Sequence, residues 1–177
     1  WLSDWSSDVC SSDLRVLVVT TARTTRGGIA SVVRAMEQDE LWKKFSCRWI
    51  ETQIDRNMLL KLVYLLRSYL QFVYFLPFYD LVHFHTVPGN STLIHLPLLQ
   101  WARLFGKKTI VHLHIGDQFR AYADNKPFRA LLNRADLLLA ISEMAKELLV
   151  STYKMKVPVE VLYNACPEVK HMNLNLS

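Results

Sequence analysis

The sequence predicts an α/β domain built on a doubly wound, mostly parallel, Rossmann-like sheet. Three observations carry that expectation. Short apolar runs rich in Val, Leu and Ile alternate along the chain with longer stretches at helical spacing, the arrangement of a parallel sheet with crossover helices. Runs such as Arg15–Thr20 and Ala135–Ile141 are apolar almost throughout, as strands buried on both faces are. With 177 residues, 51% of them hydrophobic, the chain can close one packed core but hardly two.

Residues 1–14, WLSDWSSDVCSSDL, stand apart from the rest. They hold five Ser and three Asp, and no basic segment leads into an apolar one, so they do not read as a signal peptide. The string resembles one reading frame of a sequencing-library adaptor; the alternative is a polar, disordered tail. Either reading leaves it outside the fold.

Arg15–Thr20 is the first strand. A polar turn, TARTTRGG, follows, and Ile29, Val32, Val33 and Met36 then make one apolar stripe on a helix. A strand, a loop closing on Gly27-Gly28 and a helix can aim free backbone N–H groups at an anion. Glycine removes the side chain that would hold a phosphate off, although the same pair also suits a plain tight turn. Cys47–Gln53 is the second strand. A long helix over 57–76 stops at Pro77. Its polar positions Asn57, Lys61, Arg67, Ser68 and Gln71 leave only a narrow wet stripe, so the helix is expected in the core. Contact with a membrane interface is the competing reading.

Asp80–Thr86 is the third strand, with His83 and His85 on one face near its end. A helix from Ser91, interrupted or bent at Pro97, closes at Gly106. Thr109–Ile115 alternates as a strand does, Ile110, His112 and His114 to one side, and breaks at Gly116-Asp117. Two histidines and a carboxylate thus arrive at the carboxyl end of a strand, where ligands collect in open parallel sheets. A polar loop runs through Asn125, and Pro127 opens a short helix to Asn133. Ala135–Ile141 is another buried strand. Ser142 can cap a helix over Glu143–Tyr153. Val159–Tyr163 is the last strand and ends in Asn164-Ala165-Cys166-Pro167.

The formal charge of +5 suits anionic ligands, an acidic membrane surface or nucleic acid. The Lys and Arg residues are scattered, however, and no recognition helix or aromatic platform organises them for nucleic acid. Cys10, Cys47 and Cys166 form neither a disulfide framework nor a zinc motif, which suits a reducing cytosol. No G-x-S-x-G or catalytic-cysteine context supports hydrolase chemistry. The two H-x-H pairs could each chelate a metal, since residues two apart on a strand share a face. Only Asp117, if its loop folds back, could complete such a site, so no metal is assigned. His83 and His112 are read as hydrogen-bonded core residues. A small metal-binding Rossmann protein remains an alternative, requiring zinc that is lost on changing His112 and His114 to Ala.

The segments GGIASVVRAM after a first strand, DLVHFHT, KTIVHLHIGD followed by Phe119 and Tyr122, ADLLLAISEMAKELL, and VEVLYNA follow one another as in glycosyltransferase family 4. Together they resemble the N-terminal, acceptor-side domain of that family, one half of a GT-B fold, over residues 15–167. The resemblance implies a retaining hexosyl transfer from a nucleotide-sugar to a saccharide or lipid-linked acceptor, as in bacterial polysaccharide or glycolipid assembly, with no cofactor and no metal. By it, Gly27 and Gly28 lie near the donor diphosphate, His114 faces the transferring sugar, and His85, Asp117 and Phe119 line the acceptor side. Ser142 and Asn164 match family positions but read as cap and turn. The family's Asn-Gly after the last strand is Asn164-Ala165 here. Residues 168–177 are expected to be an interdomain linker cut short, before a C-terminal domain whose carboxylates and basic residue grip the nucleotide. The chain alone is therefore expected to be inactive. A non-catalytic, membrane-docked subunit that needs a separate donor-binding chain is the alternative. The expected location is cytoplasmic, with peripheral contact at the inner face of the plasma membrane.

Overall fold

The computed structural model describes residues 14–114 and 117–164, with backbone alone for 117–119. The tail at 1–13, the Ile115-Gly116 break and everything from Ala165 onward, including the expected linker, lie outside the described residues. Among the described residues, six strands form one sheet: β1 (Val16–Thr20), β2 (Arg48–Glu51), β3 (Leu81–Thr86), β4 (Lys108–Leu113), β5 (Leu137–Ala140) and β6 (Val159–Val161). Their order is β2-β1-β3-β4-β5-β6, and each neighbouring pair is parallel. The doubly wound parallel sheet read from the sequence is therefore the observed one. Six helices connect the strands: α1 (Gly28–Gln38), α2 (Glu40–Lys44), α3 (Met58–Phe75), α4 (Asn90–Leu104), α5 (Lys126–Arg134) and α6 (Glu143–Ser151).

Side-chain parity splits the core in two. Leu17, Val19, Phe84, Val111 and Leu138 face the layer formed by α3 to α6, with Phe72, Leu99, Phe128 and Leu149 as the helix contributions. Val16, Val18, Trp49 and Leu81 face the other way, toward α1 and α2, where Val33 closes a smaller cluster. Strand order reverses between β1 and β3, so the crevice above their carboxyl ends is the switch point of the fold.

Three features depart from the sequence reading. The short helix α2, capped by the Asp39 carboxylate accepting from the Leu41 amide, was not anticipated. Helix α4 continues through Pro97 and ends at Gly106 with the Lys107 amide on the Ala102 carbonyl and the Gly106 amide on Arg103, a Schellman closure. The largest departure is α3, which is not a core helix. It leans on the core through the Leu65–Ser68–Tyr69–Phe72 stripe; Ser68 and Phe72 are buried, and the Tyr69 hydroxyl donates to the Ile94 carbonyl of α4 at 2.9 Å. Ser68, expected on the wet side, is inside; Leu59 (71% exposed) and Leu70 (73%) are outside. With leucine on nearly every side of this helix, periodicity could not say which face is covered.

Candidate functional site

The carboxyl edge of the sheet gathers the candidate residues. Helix α1 begins there directly after Gly27, with no acidic residue in its first turn. Gly27 has φ +156° and ψ 165°, a region that side-chain-bearing residues avoid, and a Cβ added at Gly27 or Gly28 would meet nothing within 4 Å. The space beside both glycines is therefore open at the start of α1, where the first amides of a helix lack intrahelical acceptors. Gly27→Ala is expected to cost about 1–3 kcal/mol of stability through backbone strain. Gly28→Ala, inside the helix at ordinary φ, is expected to cost nothing or to gain up to about 1 kcal/mol. Urea unfolding of the two variants distinguishes them, and equal effects would refute a strained Gly27.

The loop ahead of Gly27 is tied down by residues that the sequence reading did not single out. The Arg23 guanidinium bridges Glu37 (2.6 Å) and Glu51 (3.3 Å) and stacks over Trp49, its carbon 4.4 Å from the ring centre. Arg34 donates to the Arg23 carbonyl at 2.6 Å and to the Ser31 hydroxyl at 3.0 Å. An Arg among three polar loop residues looks like any surface Arg; only the fold brings Glu37 and Glu51 to it. A second glycine-led helix start was also missed. Gly89 (φ +107°) precedes α4 at the end of β3, again with no acid in the first turn. Its signal was present, because VPGN after a strand repeats the logic of RGG after the first.

Beneath α4 a buried polar chain ties three strand ends together. The Thr52 hydroxyl must donate to the Thr20 carbonyl at 2.9 Å, so the His95 Nε2–H donates to Thr52 at 3.2 Å. His95 Nδ1 is then the acceptor for the Ser91 hydroxyl at 3.5 Å, and Ser91 lies 3.0 Å from the Thr86 hydroxyl. Burial holds His95 down at about 3.

His114 lies one residue beyond β4, half-buried, with its amide on the Thr86 carbonyl at 3.1 Å. Its ring Nε2 sits 2.8 Å from Nδ1 of His85, and the two rings stack at 5.1 Å. Register explains the meeting. His85 pairs with His112, and alternate residues share a face, so His83, His85, His112 and His114 all point to the α1 side. Burial, aided by His112, lowers His114 to about 3, which favours the neutral ring.

His85, expected on the acceptor side, is fully buried in this structure and stands behind His114, the ring of which it contacts. His83 and His112 are core residues as expected, but not hydrogen-bonded ones. His83 Nε2 and both ring nitrogens of His112 lack a partner. Asp117 opens a 3-10 turn over Asp117–Tyr122, but its side chain and that of Phe119 lie outside the described structure. The Ser142 hydroxyl accepts from the Ala145 amide at 3.2 Å, which is its cap role. Asn164 is exposed beyond β6. Beside the switch point, an apolar-walled groove of about 660 Å³ runs between the start of α3 (Met58, Leu62, Leu65) and that of α4 (Asn90, Ile94).

A family model described as Glycosyltransferase Family 4 matches residues 15–167. Among solved structures, the crystal structure of a glycosyltransferase from Rickettsia africae ESF-5 is similar, at 16% identity and a TM-score of 0.46. That match covers 86% of this chain and 43% of the other, so the chain spans less than half the length of that protein. No curated protein matches the sequence.

Proposed function

The chain belongs to glycosyltransferase family 4, and from that premise we propose that residues 15–167 form the acceptor-side half of a retaining enzyme. It moves a hexose from a nucleotide-sugar to a saccharide or lipid-linked acceptor in bacterial surface polysaccharide or glycolipid assembly. The observation that carries this reading is the placement of His114 at the carboxyl end of β4 beside the switch point, 2.8 Å from buried His85, where burial favours its neutral form. A neutral imidazole can donate an N–H to a sugar hydroxyl or to charge developing on the departing phosphate without itself needing to ionise. The open amides at Gly27-Gly28 meet the diphosphate through the helix N-terminus, so no metal is invoked for the transfer. Asp117 and Phe119 follow on the acceptor side, in the turn after β4.

Turnover is proposed to need a second, nucleotide-gripping domain. The test is transfer of a radiolabelled hexose from nucleotide-sugars by the chain alone and by the protein from its source gene read past codon 177. Transfer only by the longer protein supports the proposal. Equal transfer by the chain alone, or none by either with any donor, overturns it.

Helix α3 favours a lipid-linked acceptor and a cytoplasmic protein docked at the inner face of the plasma membrane. It is the one helix, among the described residues, long and apolar enough to cross a bilayer (58–78), yet it is attached to the domain along one side. Its outward Leu59, Leu62, Leu66 and Leu70 stand beside exposed Lys61 and Arg67, and no acidic residue occurs from 57 to 79. An apolar face with flanking cations suits anionic lipid, each cation adding about 1 kcal/mol near the surface. The chain is expected to float with phosphatidylglycerol vesicles, and Leu62→Glu with Leu66→Glu to abolish flotation without loss of fold. A wild-type chain that stays in the soluble fraction would remove membrane docking. The same surface serves the second reading, a non-catalytic docking subunit with a separate donor-binding chain; a gene neighbour encoding such a chain would favour it.

A further inference from the structure

We propose that His83, His85 and His112 form a transition-metal site, suited to Zn2+, in the layer directly behind His114. Three observations converge on it. The three rings are 7%, 0% and 1% exposed, and one ligand nitrogen from each lies within 4.8 Å of the others. Four of their ring nitrogens, His83 Nε2, His85 Nε2, His112 Nδ1 and His112 Nε2, have no hydrogen-bond partner. Buried polar atoms are paired in about nine cases of ten, so four unpaired nitrogens in one spot mark a place where an ion would find ligands. Ring centres 4.3 Å (His83–His85) and 5.0 Å (His85–His112) apart leave the rings facing one another, not a core filled by apolar side chains.

The scaffold has the right form for metal binding. Two ligands two residues apart on β3 and a third at the paired position of β4 share one face of a rigid parallel ladder. Three imidazoles are a complete protein ligand set for a four-coordinate zinc whose last position is left to water or an anion. Zn–N bonds of about 2.0–2.1 Å place the nitrogens about 3.3 Å apart, so modest ring rotation draws the present arrangement onto an ion. No carboxylate or thiol takes part, which favours borderline ions that accept nitrogen over magnesium or calcium.

The ion would have a definite effect on His114. A metal on His85 Nε2 leaves the proton of that ring on Nδ1, which then donates to His114 Nε2 at 2.8 Å. The His114 proton is thereby fixed on Nδ1, the nitrogen turned away from His85. The ion would lie among buried ligands behind His114, and the transfer proposed above invokes no metal. Metal binding stands or falls independently of that activity.

The test uses the tag-free chain, stripped by chelator and dialysed against Co2+ or Zn2+. Expected are one bound equivalent, the visible absorption of tetrahedral Co2+, and a raised Tm with zinc. Ring 15N shifts in the unaltered chain should show metal on His85 and the proton of His114 on Nδ1. His83→Gln and His112→Gln are expected to lose the metal; His95→Gln, in the separate Thr52–Ser91 chain, keeps it. The 15N measurement needs no variant, so a misfolded substitution does not spoil the test. Less than a tenth of an equivalent bound, or ring shifts that leave His83, His85 and His112 unmoved, overturns the proposal.

Discussion

Acidification from pH 7 to about pH 5 is expected to unfold the metal-free domain. His83, His95 and His114 are pushed down to about 3 and His112 to about 4, mainly by burial, and His85 is lowered well below 6.5 for the same reason. In the unfolded chain each titrates near 6.5. Between those values the unfolded state binds protons that the native state refuses, so stability is fully kept above pH 6.5 and drains away as pH falls below it. Each histidine contributes about 1.4 kcal/mol per pH unit at full effect. Five acting together remove several kcal/mol by about pH 5, comparable with the roughly 5–15 kcal/mol that holds a typical domain. The fluorescence of Trp42 and Trp49, which pack 6.4 Å apart in the smaller core, reports the transition. It should be steep, with several protons taken up at once. A domain still native at pH 4 would show that the rings are solvated or already paired.

In a protein that carries the proposed nucleotide-gripping domain, His114→Ala is expected to lower kcat by about 10²–10³-fold, the usual loss when one donor aimed at developing charge is removed. Donor and acceptor KM should change far less, because the bond matters most as charge develops. His85→Phe keeps a ring in the buried position but removes the hydrogen bond, so it should cost about tenfold through misplacement of His114. Since His114 is neutral across the working range, the kcat profile should show no inflection from it between pH 6 and 8. Steady-state kinetics on the three proteins decides the matter; a His114→Ala enzyme with more than a tenth of the activity would reduce that ring to a structural residue.

Much of the framework was legible because parallel sheets announce themselves. Val16–Val19 and Leu137–Ala140 are apolar runs of strand length, and the cap at Ser142 stands where a helix starts. Periodicity also placed His83, His85, His112 and His114 at strand ends. It could not say that the two pairs are adjacent, since register depends on β3 and β4 being neighbours. That adjacency converts His85 from a surface residue into the buried support of His114. Arg23 was illegible for the same reason, its partners lying 14 and 28 residues away. Helix α3 failed differently: a sequence greasy on every side fixes a helix but not its covered face.

The switch point also sets the order in which the chain can assemble. β3 and β4 are joined through the single helix α4, but β1, which β2 covers on one edge, must wait for β3 on the other, and the Arg15 amide meets the Asp80 carboxylate across 65 residues. Closing so long a loop is slow, and no hairpin in this all-parallel sheet offers a local start. β1 is thus paired on both edges only after β3 has been made. Until then the Val-Leu-Val-Val run of β1 adds to the outward leucines of α3, which stay exposed in the finished fold as well, so synthesis is the stage at which this domain offers the most apolar surface.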